Sequence, residues 1–121
     1  MPHIIVEYAN NLEARGVDIP ELLEVLSAAA INTGLFPEAG LRARAYCASH
    51  QRVAQGDPDL SFLHLAMNVG KGRSIDDRRL AGEEIFEVLK NHLAAVLEKS
   101  PLTLSFEMRE IDDVKFNFRN F

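Results

Sequence analysis

The sequence predicts an α+β fold, a two-layer sandwich of two β-α-β units in which one four-stranded sheet carries two helices on one face. Three observations predict it. Apolar residues recur at strand spacing, then at helix spacing, then at strand spacing, and the second half repeats that order. The two halves, residues 2–47 and 60–109, are of similar length and meet at a turn marked by Gly56, Asp57 and Pro58. The 121 residues suit one compact domain, 1–121, large enough to bury a core without disulfides or metal staples.

The elements follow in chain order. Residues 3–8 are apolar and β-branched and read as a strand. A polar loop from Asn10 leads to Asp18, which can cap a helix whose first turn holds Pro20. Leu22, Leu23, Leu26, Ala29 and Ala30 then recur at helical spacing, and Gly34 with Pro37 ends that helix. Residues 41–47 alternate, so Arg42 and Arg44 share a strand face. In the second half, residues 60–69 set Leu63, Leu65, Met67 and Val69 on one face and Phe62, His64 and Asn68 on the other. A Gly70-Lys71-Gly72-Arg73 turn follows, and Ser74 with Asp77 resembles a capping box. A single apolar stripe runs from Ala81 to Leu97 until Pro101 stops the helix, and Leu102 to Met108 alternate as the last strand.

Right-handed crossovers make each strand pair parallel. Strands 1 and 3 read as apolar on both sides, which predicts that other subunits cover the sheet face away from the helices. Residues 114–121 carry Phe116, Phe118 and Phe121, more aromatics than a solvated tail holds, and are expected to dock as an arm on a neighbouring chain. The internal repeat places the pseudo-equivalent of Pro2 near Leu63, which is internal and has no free amine, so if the N-terminal proline supplies the chemistry one chain is expected to carry one site.

Bulk chemistry narrows the function. The net charge of −5 argues against nucleic-acid binding, which needs a basic footprint. An anionic substrate needs a local cation cluster instead, and Arg42, Arg44, Lys71 and Arg73 can supply one. No apolar run approaches the roughly 18 residues of a membrane span. The first residues lack the basic and apolar stretches of a signal peptide, and Cys47 is a lone cysteine. Both fit a cytoplasmic protein.

Pro2 is the sharpest chemical feature. Removal of Met1 would leave a secondary amine at a strand end, whereas a retained methionine would lock that nitrogen in a peptide bond. An α-amino group titrates near pH ~8, and burial beside arginines disfavours its charged form. Such an amine can act as a neutral base near pH 7. Many chains begin Met-Pro with no such role, and Arg42 and Arg73 could each be a solvated charge. As anion binders they offer planar, permanently charged forks. The candidate substrate-binding residues are Arg44, His64 and Phe116, with a sheet-face role for His64 as the alternative and Glu7 as a possible second acid/base. His3, His50, His64 and His92 lack zinc-site spacing, so no metal is expected.

Taken together, these residues resemble the 5-carboxymethyl-2-hydroxymuconate isomerases of the tautomerase superfamily. The stretches that carry the resemblance are Pro2-His3-Ile4-Ile5-Val6-Glu7, Thr33-Gly34-Leu35-Phe36-Pro37, Ala39 to Arg44, Phe62-Leu63-His64, Gly70 to Ser74, Ala81-Gly82-Glu83 and Leu104 to Glu107. They cover nearly the whole chain, and the tail departs most. The resemblance implies a homotrimer that needs no cofactor. It implies conversion of a dienol tricarboxylate to a conjugated ketone in homoprotocatechuate breakdown, with Pro2 as the amine and Arg42 and Arg73 as its paired arginines. A related tautomerase of smaller oxo-acids and a non-catalytic trimeric binding module are the competing readings.

Overall fold

A computed structural model describes residues 1–121. Strand β1 spans His3–Tyr8, β2 Arg42–Cys47, β3 Ser61–Val69 and β4 Leu102–Glu110, while the helices are α1 Ile19–Asn32, α2 Ile75–His92 and α3 Ala94–Lys99. The caps read from the sequence start both long helices. The Asp18 carboxylate accepts the Glu21 N–H at 3.0 Å, and Ser74 Oγ accepts the Asp77 N–H at 3.0 Å. Each such cap is worth about 1 kcal/mol. Gly34, at φ +73°, turns the chain out of α1 in a conformation that a residue with a Cβ adopts only under strain.

The sheet order is β2-β1-β3-β4. β1 pairs with β2 and β3 with β4 in parallel, and β1 and β3 join the two halves antiparallel. The first strand pair begins with His3 opposite Arg42 and the second with Ser61 opposite Leu102. Leu63, the position read from the repeat as the counterpart of Pro2, lies inside β3 on its core-facing side and carries no free amine.

The core lies between the sheet and the helices. Ile4, Val6 and Tyr8 of β1 and Leu63, Leu65, Met67 and Val69 of β3 meet Leu22, Leu26, Ile85 and Leu89 there, all buried. The other sheet face corrects the expectation that strands 1 and 3 are apolar on both sides. It carries Ile5, Phe62 and Ala66 interleaved with His3, Glu7, His64 and Asn68. Strict alternation along each strand is the reason, since the helices cover only one side.

The second helix also departs from the single stripe expected to Pro101. It breaks at Leu93 (φ −99°, ψ 11°), and α3 follows as a separate piece. The break occurs without Pro or Gly. It keeps Leu93 only 2% exposed and Val96 against the core, while Leu97 turns outward. Beyond β4 the tail has no regular structure. Its Phe116 and Phe118 are 95% and 91% exposed, so the expected docked arm is not packed into its own chain's core.

Candidate active site

β1 begins where the chain's N-terminus, the start of β2 and the end of β3 converge. The Arg42 N–H donates to the Pro2 carbonyl at 3.0 Å, which extends the β1–β2 pairing back to Pro2. Pro2 is buried and packs against Gly40, where an added methyl would meet Pro2 Cδ at 3.5 Å. The next residue, His3, pairs across with Asn68, so Pro2 sits beside the end of β3 and the turn after it.

That turn carries Arg73, and its guanidinium is seated rather than solvated. Nε donates to the Leu35 carbonyl and Nη1 to the Gly70 carbonyl, each at 3.0 Å, and the group lies 5.0 Å above the Phe36 ring. Nη2 remains uncommitted. Arg42 is held in a similar way: Nη1 donates to the Ala39 and Leu41 carbonyls at 3.0 and 2.9 Å, and the Phe121 ring lies 5.3 Å from the guanidinium carbon. Carbonyls fix both forks without neutralising them, so each keeps its full charge and free N–H donors for an anion.

The electrostatic consequence appears at the chain's amine. Burial, and then the positive charges of Lys115, Arg73, Arg119 and Arg42, hold the N-terminal ammonium below its ordinary pKa. Each of these causes disfavours the protonated form.

The remaining residues singled out in the sequence lie elsewhere on the sheet. Arg44 shares the open face with His3, and its Nη1 stands 3.0 Å from His3 Nδ1. Burial, then the charges of Arg44, the N-terminus and Arg42, push His3 below the usual imidazole range, so it is suited to accept from Arg44. The two residues line a shallow cavity of about 360 Å³ with Asn68 and Arg109. His64 lies further along the sheet, opposite Glu7. Its Nδ1 is 2.6 Å from Ser105 Oγ and its Nε2 is 3.3 Å from Glu107. Hydrogen bonds from Arg109 and His64 hold Glu107 below the ordinary carboxylate range. Glu7 is four residues from His3 along an extended strand, about 13 Å. Neither Glu7 nor His64 belongs to the Pro2 cluster. Phe116 is exposed, and the tail aromatic that lies against one of the arginines is Phe121.

The family model for 5-carboxymethyl-2-hydroxymuconate isomerase matches residues 2–120. The chain belongs to that family. It is 39% identical over 111 residues to the 5-carboxymethyl-2-hydroxymuconate Delta-isomerase of Escherichia coli, an alignment covering 92% of this chain and 87% of the relative. A crystal structure of a 5-carboxymethyl-2-hydroxymuconate delta-isomerase superposes with a TM-score of 0.92 at 29% identity, covering 99% of this chain and 89% of that one. A fused 4-OT wild-type symmetric trimer shares the fold at a TM-score of 0.69 and 16% identity, covering 98% and 92% of the two chains. The protein is an isomerase with the tautomerase fold.

Sequence reasoning missed two parts of the isomerase's cluster. The seat of Arg73 comes from Leu35 and Phe36, which lie between the first helix and the second strand, and a carbonyl donates no signal to a sequence pattern. Lys115 and Arg119 were hidden for a different reason. They alternate with the tail phenylalanines, whose apolarity dominates the pattern of that segment.

Proposed function

We propose that this isomerase converts the dienol of 5-carboxymethyl-2-hydroxymuconate to its conjugated 2-oxo isomer, with the Pro2 nitrogen as the acid/base group once Met1 is removed. The observation that carries this reading is the setting of the N-terminal amine: desolvated, then surrounded by Lys115, Arg73, Arg119 and Arg42. Loss of Met1 transfers the free amine one residue inward, to a buried proline whose carbonyl is bonded to Arg42. On this reading the same groups act on the Pro2 amine. Pro2 accepts the proton of the 2-hydroxyl group, the electron pairs shift along the diene, and the same nitrogen returns a proton to C5. The hydroxyl becomes the ketone, one C=C bond moves into conjugation, and nothing is oxidised or consumed. Arg73 and Arg42 hold carboxylates and draw charge toward one end of the substrate.

The pH dependence tests this. Because the working form is the neutral amine, and the burial and charges that hold the N-terminal ammonium below its ordinary pKa are taken to act on Pro2 as well, kcat/KM for the dienol should rise through one ionisation below the ordinary value near pH ~8 and then level off. A rise at or above that pH would exclude the proposed base. So would full activity in protein that mass spectrometry shows to retain Met1.

The assembly is read as a homotrimer in the cytoplasm. The half-apolar open sheet face, the exposed Phe116, Phe118 and Phe121, and the trimeric fused 4-OT relative support it. Light scattering at micromolar concentration should give three times the chain mass, and removal of residues 114–121 should weaken the assembly. A stable monomer would sink the trimer. An unchanged trimer without the tail would remove the tail from the interface.

A further inference from the structure

We propose that Lys115, on the C-terminal segment, is a specificity-determining residue that binds the third carboxylate of the substrate; this rests on the reading under Proposed function. The path of the tail places it there. The Ile111 N–H donates to the Val69 carbonyl at 2.7 Å, so β4 leaves the sheet level with the end of β3. The chain then turns at Asp112 and Asp113, where Lys71 pairs with Asp113 at 3.1 Å and the Val114 N–H donates to Asp112 Oδ1 at 3.2 Å. Lys115 Nζ next comes over Gly70, so close that a methyl added to that glycine would stand 2.9 Å from it. Six residues later, Phe121 lies against Arg42 at the start of β2. Between Gly70 and Arg42 runs the start of β1. The tail is therefore a strap across the end of the sheet that holds Pro2.

The charges beneath the strap are unbalanced. Arg42, Arg73, Lys115 and Arg119 all act on the N-terminal amine, and none of the four is in a salt bridge. The chain as a whole has net charge −5, with 18 acidic against 13 basic residues. Four unpaired cations gathered in an acidic protein repel one another, and they favour a ligand with several negative charges. The two arginines match two carboxylates. A dienol with a carboxymethyl arm carries a third, and Lys115, the first of the charges acting on the amine and seated over Gly70, suits it: a compact point charge on a flexible stem that needs no planar partner. Asp113, the carboxylate closest to it in sequence, is engaged by Lys71.

The test compares 5-carboxymethyl-2-hydroxymuconate with 2-hydroxymuconate, the same dienol without the third carboxylate, in the wild type, Lys115→Met and Lys115→Arg. Methionine keeps an aliphatic stem and removes the charge. For the tricarboxylate, Lys115→Met should raise KM and lower kcat/KM about ten-fold or more, the size of one lost charge-assisted hydrogen bond. The comparison is made on the pH plateau, where the amine is already neutral, because loss of one of the charges around the amine should displace both pH profiles upward alike. There the change for the dicarboxylate should stay within about two-fold, which is less than 0.5 kcal/mol by the usual conversion. Lys115→Arg should restore most of the loss. An equal loss on both substrates on that plateau would overturn the proposal and leave Lys115 as a general electrostatic influence on the amine. No loss on either substrate would overturn it too. Failure of the underlying reading looks different, because the wild type would then not turn over the tricarboxylate. Unchanged thermal melting of Lys115→Met would separate these outcomes from a folding defect.

Discussion

A chain with residues fused ahead of Pro2 is expected to lose nearly all turnover while it keeps its fold and still binds a dicarboxylate. An amide nitrogen has its lone pair delocalised into the carbonyl and accepts no proton near neutral pH. The loss of one well-placed acid/base group costs about 10²–10⁴-fold in rate. Binding should survive because Arg42 and Arg73 are seated on carbonyls of residues 35–41 and on Gly70, none of which depends on a free N-terminus. Pro2→Ala is the graded companion. It leaves a primary amine at the same point and should keep weak activity, provided mass spectrometry confirms that Met1 is removed. Normal turnover in the fusion would exclude Pro2 as the base. The base would then have to be sought at Glu7 or His64, which face each other across β1 and β3, away from the arginine pair.

Arg73→Ala carries the second-largest expected effect. The substitution removes a charge-assisted, bidentate contact worth roughly 1.5–3 kcal/mol, so kcat/KM should fall about 10–150-fold. The loss should be carried chiefly by KM if Arg73 holds a carboxylate equally in the ground and transition states. Arg42→Ala should act mainly on kcat if Arg42, whose backbone pairs with Pro2, stabilises the charge developing on the dienolate. Lysine at either position should rescue only part of the loss, since it lacks the planar fork. Arg73→Ala also leaves the Leu35 and Gly70 carbonyls without their donor, so thermal melting belongs in the comparison. Wild-type kinetics in both variants would reduce the pair to surface charges.

The sequence by itself determined the order of elements, both helix caps and the pairing of each half. These rest on local rules: Asp18 and Ser74 act on N–H groups three residues away, and period-two alternation needs no knowledge of the rest of the chain. It also singled out Pro2, Arg42 and Arg73, because a proline amine and guanidinium groups have chemistry that ordinary solvated residues lack. Only the tertiary structure decided how those residues meet. The antiparallel joining of β1 to β3 brings the Arg73 turn to the end of the sheet where Pro2 lies, a juxtaposition of positions 71 apart in the chain that no local pattern encodes. The same register carries His64 away from that end. The tail was least legible. Its three phenylalanines announced a docked arm, but its cations matter only because the end of β4 lies level with Val69, which turns the following residues back across the start of β1. Charge clustering of that kind is a property of the folded surface, since four cations spread from residue 42 to residue 119 share one neighbourhood only after the sheet has formed.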